Sequence, residues 1–206
     1  QVWILVKAES PIDAIEAGTS VAVCGDCKHH RFNSCYVAVH QAPLAVWRAW
    51  KAGRYPMANS SHLPLFVGHK IRLGAYGDPA AVPVSIWRSI CSVAAGHTAY
   101  THAWRNPAAA EHQRYCMASC DTSAEVAEAR AAGWKPFYVR GIAEPLPADS
   151  FECPASELAG HRLNCDRCMA CSGGEHRPGQ ATPSIEIHGT AGKIANFQRG
   201  MAAMAR

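Results

Sequence analysis

Six of the ten cysteines fall into two closely spaced sets that are typical of metal ligands. A two-residue gap lets neighbouring sulfurs point at one centre while the amides between them turn towards it, as in iron–sulfur sites. A zinc site needs only four sulfurs and usually takes them as two separate pairs. The spacing therefore predicts iron–sulfur clusters, with zinc as the alternative. The two sets are Cys24, Cys27 and Cys35, and then Cys165, Cys168 and Cys171.

A fourth thiol is available to the second set. Cys153 is followed directly by Pro154, and ferredoxin-type sites combine a C-x2-C-x2-C triplet with a remote cysteine that precedes proline. The four thiolates would complete a [4Fe–4S] cluster that has no open iron. Ser172-Gly173-Gly174 follows the triplet and gives a backbone that can approach the sulfides closely.

The first set needs a partner from elsewhere if it is to be closed. Cys116 is the preferred candidate, because it lies on another predicted strand and could meet the first loop at the same face; Cys120 is the reserve. His29 or His30 could instead complete a Cys3His zinc site, although a solvated loop is the interpretation we favour for both histidines. Cys91 falls on an apolar helical stripe and is predicted to be a small buried hydrophobe.

Short apolar runs alternate with helix-like segments along the chain. This alternation favours parallel βα units. We therefore expect an α/β fold, a partial or complete TIM-barrel-like (β/α) scaffold with a cysteine-rich C-terminal cluster-binding loop. The predicted helices are Pro43 to Arg54, Pro83 to Ala95 and Thr122 to Gly133. The predicted strands are Val2–Val6, Ser20–Cys24, Lys70–Tyr76, His97–His102, Tyr115–Ser119, Pro136–Arg140 and Ile185–His188.

Two regions of one compact domain are expected. Residues 1–145 would form the barrel-like core with the first cluster site. Residues 146–206 would form the cysteine-rich cluster loop, a closing strand and a C-terminal tail. The stretch 146–180 is rich in proline, glycine, cysteine and charge and lacks apolar periodicity, so a bound cluster is expected to order it.

Composition and charge limit the classes of partner. The 206 residues are 49% hydrophobic, enough to build a core without disulfides. The formal charge of +4 counts cysteines as neutral, and two thiolate-bound clusters would bring it to about zero. Nucleic-acid binding is therefore only weakly supported. With no secretory signal and no run of about 20 apolar residues, we expect no membrane association and a reducing, cytoplasmic location.

The order of the motifs resembles the opening of a radical S-adenosylmethionine enzyme. In that family a cluster loop follows the first strand, and a Gly-Gly-Glu-Pro-like turn that grips the methionyl amine ends the second. Cys24, Cys27 and Cys35 stand where the cluster loop would stand, and Gly77-Asp78-Pro79 where the turn would stand. The later cysteines would resemble an auxiliary-cluster extension. The family's usual C-x3-C-x2-C spacing is absent here.

The chain also resembles a group of uncharacterised cysteine-rich proteins of actinobacterial phages. That resemblance implies metal binding and a viral origin, hence a host cytoplasm, and implies no reaction. The segments that carry it are Cys24-Gly25-Asp26-Cys27, Tyr76 to Pro83, Tyr100-Thr101-His102, Cys116-Met117-Ala118-Ser119 and Cys153 to Glu157.

Three further features have ordinary structural explanations. His102 could line a barrel mouth, but a structural hydrogen-bonded histidine is the preferred interpretation. Asp78 could bind a substrate amine or cap the segment after Pro79. The run from His188 to Lys193 lacks the spacing of a phosphate-binding loop and is predicted to be a strand-ending turn.

Three functions remain open from the sequence. The favoured one is an iron–sulfur protein with two closed [4Fe–4S] clusters that acts in electron transfer, redox sensing or interaction with a redox or host protein partner. The first alternative is a radical S-adenosylmethionine-type enzyme with an open-iron cluster at Cys24, Cys27 and Cys35. The second is a zinc-stabilised module that binds nucleic acid or the transcription machinery. Cys116 distinguishes the first two functions: if it is a fourth ligand, the first cluster is closed, and if it is not, one iron stays open for the cofactor.

Overall fold

A computed structural model describes residues 1–204. The strands are β1 (Lys70–Arg72), β2 (Gly96–Thr98), β3 (Tyr100–Thr101), β4 (Met117–Cys120), β5 (Pro136–Arg140), β6 (Ser150–Glu152) and β7 (Thr182–Glu186). The α-helices are α1 (Pro11–Glu16), α2 (Val21–Cys24), α3 (Lys28–Arg31), α4 (Ala42–Lys51), α5 (Val84–Val93), α6 (Ser123–Ala131), α7 (Cys165–Cys168) and α8 (Ala191–Met204). Three 3-10 segments cover Ser60–Phe66, Pro79–Ala81 and Pro107–Arg114.

All strand pairs in these sheets are parallel. Five strands form one sheet in the order β3-β4-β5-β7-β6, and β1 pairs with β2 in a second, two-stranded sheet. At least one helix or 3-10 segment lies in the chain between the two members of each parallel pair, as a crossover connection requires. The fold is therefore α/β with a five-stranded all-parallel sheet, and the strands of residues 1–204 do not close into a barrel.

The two sheets meet at Ala99, the residue between β2 and β3. Its carbonyl accepts a 2.9 Å hydrogen bond from Met117 N–H in β4, while its own N–H donates at 3.1 Å to the carbonyl of Cys171. The N-terminal segment lies on the far side of β1, where Val2 N–H donates to Arg72 at 2.9 Å and Ile4 N–H to Tyr76 at 2.8 Å. In space, the order of the strand-like segments is therefore N-terminal segment, β1, β2–β3, β4, β5, β7 and β6.

Side chains alternate between two faces of the strands, as the pleat requires. One face packs against α5 and α6 and holds the main core, which includes Leu73, Trp87, Cys120, Val126 and Tyr138. The opposite face carries a smaller apolar cluster of Met117, Phe137 and Cys171, packed against Tyr100, Val139 and Ile185. The cysteine-rich loop therefore covers the face that the helices leave uncovered.

Several predicted elements are confirmed with shifted ends, and Pro136–Arg140 is a strand over the predicted residues. Ser20–Cys24 was predicted as a strand and this is wrong, because Val21–Cys24 is a short helix. Four apolar residues carry too little periodicity to distinguish the two conformations. Val2–Val6 contributes only an isolated bridge between Trp3 and Tyr76.

The C-terminal quarter holds more regular structure than expected. The stretch 146–180 contains the short strand β6 and the single helical turn α7. Beyond β7, the predicted tail is a helix over Ala191–Met204, and residues 205–206 of that prediction lie outside the described part of the chain. Within residues 1–204, none of the helices is long and apolar enough to cross a bilayer.

Candidate metal centre

The first cysteine loop lies at the edge of the sheets where the strands end. Asp78 lies six residues after the end of β1, whereas His102 and Asp121 come directly after β3 and β4. The loop is tied to this edge by a 2.7 Å hydrogen bond from Asp78 N–H to the carbonyl of Val23. Binding sites in open parallel sheets form outside the carboxyl ends of the strands, so this edge is the expected place for one.

Cys24, Cys27 and Cys35 form a mutually interacting group. Cys24 ends α2, Cys27 precedes α3, and Gly25 between them adopts φ +56°. Burial, and then the neighbouring Cys27 and Cys35, raise the pKa of the Cys24 thiol to about 12. Burial also raises the pKa values of Cys27 and Cys35. The three thiols are therefore neutral at pH 7 without metal, and a metal must displace their protons when it binds.

Tyr76 supplies a polar neighbour to this group. Its hydroxyl is buried and reaches the Cys24 sulfur, where it works to lower the pKa of that thiol. The contact between the Tyr76 hydroxyl and the Cys24 sulfur falls outside hydrogen-bond geometry, so the hydroxyl has no hydrogen-bond partner in residues 1–204. A thiolate at Cys24 would give the hydroxyl a stronger acceptor than the thiol does.

The loop between Cys27 and Cys35 is fixed by its backbone and by α8. The carbonyl of His29 accepts hydrogen bonds from Ser34 N–H at 2.8 Å and from Cys35 N–H at 3.1 Å. Lys193 Nζ donates to the Asn33 carbonyl at 3.1 Å and to its side-chain oxygen at 2.9 Å. The same Lys193 charge works to lower the pKa of Cys35.

Cys116, the predicted fourth ligand, lies in the main core, against which Cys24 also packs. It is fully buried ahead of β4, and its pKa is raised by burial and then by Asp78 and Cys91 rather than by the first-set thiols. Cys120, the reserve, is also fully buried and is influenced by Glu125 and Asp121. Both pack in the main core, so the loop has three thiols of its own.

The second group brings together all four predicted cysteines. The pKa of Cys171 is raised to about 12 by burial and then by Cys153, Cys165 and Cys168, while a hydrogen bond from Tyr100 works to lower it. Cys153 follows β6, and its raised pKa reflects burial and then the charges of Cys165 and Cys168. The C-x2-C-x2-C triplet and the remote Cys-Pro therefore lie in one region, although no three of their sulfurs lie all within 4.8 Å of one another.

Close backbone packing holds this second loop on the sheet. The Cys171 carbonyl accepts the Ala99 N–H, and Gly174 N–H donates to Gln113 at 2.7 Å. Gly173 has φ +76°, and a Cβ there would lie 2.4 Å from the backbone of Tyr115 and Cys116. Only glycine permits this approach, which accounts for the Gly-Gly pair after the triplet.

The separation of the sulfurs bears on which metal could bind. All ten cysteines are unpaired, so no described thiol forms a disulfide. Within residues 1–204, no three thiols have their sulfurs all within 4.8 Å of one another. A zinc ion with Zn–S bonds of about 2.3 Å would hold sulfurs about 3.8 Å apart. No three of the described thiols are therefore spaced as ligands of a single zinc ion.

A short chain of side chains connects the two cysteine groups. Arg72 donates a 2.6 Å hydrogen bond to the hydroxyl of Tyr36, the residue after Cys35. The Arg72 guanidinium lies 5.8 Å from the ring centre of Tyr100, whose hydroxyl reaches Cys171. Burial works to lower the pKa of Arg72, but Tyr36, Tyr100 and Cys165 raise it overall.

The remaining sequence candidates have structural partners. Asp78 accepts from Ala80 N–H at 2.9 Å, so the predicted cap is confirmed. His30 pairs with Ser20 Oγ at 2.6 Å. Of the predicted turn from His188 to Lys193, residues 188–190 link β7 to α8, and Ala191–Lys193 already belong to α8.

One cluster at this edge was not predicted. His29, His102 and Asp121 have ligand atoms within 4.8 Å of one another, and they are the one such group of histidine, cysteine or acidic side chains in residues 1–204. The only sequence signal was position, since His102 and Asp121 each come directly after a strand.

Comparisons with protein-family models, curated proteins and solved structures found no match to this chain.

Proposed function

We propose that this protein is an iron–sulfur enzyme of the radical S-adenosylmethionine type. Cys24, Cys27 and Cys35 would hold a [4Fe–4S] cluster with one iron left open for the cofactor. The observation that carries the proposal is that the loop with these three thiols is tied to the carboxyl edge by the Asp78 N–H to Val23 hydrogen bond, while Cys116 is fully buried in the main core. Three thiolates on a four-iron cluster leave one iron without a protein ligand.

The second cysteine group would hold a closed auxiliary [4Fe–4S] cluster. Cys153, Cys165, Cys168 and Cys171 lie within 19 residues of the sequence and would supply one thiolate for each iron. The Tyr100 hydroxyl, whose influence lowers the pKa of Cys171, would favour the thiolate form that a cluster needs. The Arg72 and Tyr36 contacts would place a short polar route between the two groups.

The scaffold supports the same function. We propose that the N-terminal segment, β1, the β2–β3 segment and the five-stranded sheet together form a partial barrel. The support is the unbroken series of hydrogen bonds from Val2 to Arg72, through Ala99, and on to β6. The first group then lies at the carboxyl edge, where enzymes of this architecture bind their substrates.

The chemistry would be a one-electron reduction. A reduced cluster held by Cys24, Cys27 and Cys35 would supply one electron for cleavage of the C5′–S bond of S-adenosylmethionine, and the products would be methionine and, after hydrogen-atom uptake from a substrate, 5′-deoxyadenosine. The residues of the chain would bind and orient the cofactor and exclude water from the edge. A redox protein would have to deliver the electron.

A two-cluster electron carrier is the second candidate. It is favoured by the Tyr36–Arg72–Tyr100 connection, which would serve electron transfer between clusters equally well. A carrier would contain the same iron but would not cleave S-adenosylmethionine.

The decisive experiment is anaerobic purification of the full chain followed by metal analysis and a cleavage assay. We expect about eight iron and eight sulfide per chain, and formation of 5′-deoxyadenosine with a strong reductant. Cys24→Ala should abolish product, whereas Cys116→Ala should retain it. About two zinc ions with almost no iron would reject both iron-based functions. Full iron content without cleavage would favour the carrier.

A further inference from the structure

We propose that His29, His102 and Asp121 form a separate site for one divalent metal ion beside the first cysteine group. Their ligand atoms lie within 4.8 Å of one another. Two imidazoles and one carboxylate that leave other positions open suit a first-row divalent ion such as Fe²⁺, Mn²⁺ or Zn²⁺. This inference does not depend on the proposed reaction.

His102 offers a nitrogen that nothing else uses. Its Nε2 atom is buried and has no hydrogen-bond partner in residues 1–204. The backbone of the residue is fixed, because its N–H donates at 2.8 Å to Asp78 Oδ2. A buried polar atom without a partner is costly, and a bound ion would satisfy it.

His29 is oriented as a metal ligand would be. Its Nδ1 lies 3.1 Å from Ser34 Oγ, and its Nε2 faces Asp121 Oδ1 at 3.1 Å. The ring stacks on Phe197 at 5.3 Å and meets His102 edge-on at 5.4 Å. Ligating histidines almost always have their other ring nitrogen held by a polar group, which fixes the ring and its tautomer.

Asp121 supplies the negative charge. Its side chain is fully buried, and Lys28 Nζ lies 2.8 Å from Oδ2 in an ion pair whose angle falls short of a hydrogen bond. Oδ1 remains on the histidine side.

The net charge of the side chains around these three residues favours a bound cation. Lys28 also donates to Glu125 at 2.7 Å, and Arg105 pairs with both Glu125 and Glu128. The network of Lys28, Arg105, Asp121, Glu125 and Glu128 contains two positive and three negative side chains. An added divalent ion therefore meets a net negative environment.

The test is a titration of the anaerobically purified, iron-loaded full chain with Co²⁺ as the spectroscopic probe. We expect one Co²⁺ bound with weak d–d bands of nitrogen and oxygen ligands. His102→Gln and His29→Gln should each weaken this binding more than tenfold. Ser34→Ala should weaken it about tenfold, because it removes the group that holds the His29 ring.

Matched controls separate a metal site from a structural cluster. His30→Gln changes a neighbouring histidine that pairs with Ser20 and should bind Co²⁺ as the unmodified chain does. Simultaneous alanine substitution of Cys24, Cys27 and Cys35 should leave the nitrogen–oxygen spectrum in place. Thermal melts show whether each variant is folded. If His29→Gln is unfolded, the Co²⁺ affinity of Ser34→Ala tests the role of His29 instead.

Three results would overturn the proposal. The first is no nitrogen–oxygen Co²⁺ spectrum in the unmodified chain. The second is equal binding by His102→Gln. The third is a sulfur-to-cobalt charge-transfer band that disappears in His29→Gln, which would make His29 a ligand of the cysteine group.

Discussion

The Asp78 carboxylate joins two neighbouring strand ends, because Oδ2 accepts the His102 N–H at 2.8 Å while Oδ1 caps the next segment through Ala80 N–H at 2.9 Å. Asp78 is 8% exposed and also influences the Cys24 thiol. A single side chain thus fixes the turn beside the first cysteine group and the backbone of His102.

Replacing Asp78 should separate its structural role from any role in cofactor binding. Asp78→Ala loses both hydrogen bonds and should lower the free energy of unfolding by about 1–2 kcal/mol, as loss of an N-cap does. Asp78→Asn keeps one acceptor oxygen and should be milder. Chemical denaturation measures both. If Asp78→Asn is stable but no longer forms 5′-deoxyadenosine, the carboxylate charge also binds the cofactor amine.

Cys168→Ala should expose the stretch 146–180 to protease. Besides the thiol group, α7 is held mainly by a Lys70 hydrogen bond to the Asp166 carbonyl, so loss of one cluster ligand should loosen the segment around α7 while the main core persists. Limited proteolysis with mass analysis locates the cuts. Cys91→Ala is the control, since Cys91 lies on α5 away from both groups. Equal resistance of the Cys168 variant and the unmodified chain would contradict the prediction.

Arg140→Met should be strongly destabilising. Arg140 is 3% exposed and binds Glu152 of β6, the Glu144 carbonyl at 2.6 Å and Ser184 at 2.9 Å. Removing one partner of a buried ion pair costs about 3–5 kcal/mol. Because β6 leads into Cys153, iron in the second group should also fall.

The matched control for Arg140→Met is Arg88→Met. Arg88 forms an exposed ion pair with Glu111 at 3.1 Å and should contribute about 0–1 kcal/mol. Urea unfolding of the two variants gives the comparison. A similar decrease in the free energy of unfolding for both variants would show that the Arg140–Glu152 ion pair contributes no more than an exposed one.

Gly77→Ala should disrupt the turn before Asp78. Gly77 has φ +79°, and a Cβ there would lie 2.6 Å from the Ile4 carbonyl oxygen. The left-handed conformation alone costs roughly 1–2 kcal/mol for a residue with a side chain. Gly192→Ala, in α8 with open space around it, should instead stabilise by about 0.4–1 kcal/mol. Melting temperatures should therefore move in opposite directions.

His97→Gln should flatten the dependence of stability on pH. Burial lowers the pKa of His97, whose Nε2 lies 3.0 Å from the Tyr115 carbonyl. The unfolded chain takes up the proton first, near pH 6.5. Stability is therefore complete above that pH and declines as the pH falls towards the lowered folded pKa. The free energy of unfolding of both proteins is measured between pH 8 and 5.5. An equal decrease in the His97→Gln variant and the unmodified chain would contradict this prediction.

The second cysteine group could be predicted because its spacing is local. Three of its thiols lie within seven residues, and Cys153-Pro154 is close by in the sequence. Strand β5 could be predicted because its aromatic and β-branched residues favour a buried strand. Strand β6 could not, since Ser150–Glu152 is three residues long and has no pattern to detect.

The partners of the first group depended on tertiary contacts. Cys116 precedes β4, and whether its thiol faces the edge or the core depends on strand register, which the sequence does not reveal. His29 and Asp121 meet although 92 residues separate them. Such a contact follows from which strands become neighbours, and no local spacing encodes it.

The closeness of α8 to the first cysteine loop has a consequence for biosynthesis. A Cβ on Gly200 would lie 2.3 Å from the Phe32 ring, and Lys193 and Asn196 both bind Asn33. The loop that carries Cys27 and Cys35 thus packs against a helix that the ribosome makes some 160 residues later. The nascent chain cannot complete the surroundings of this loop until that helix has emerged, so a cluster of the proposed kind would be enclosed only after α8 is made.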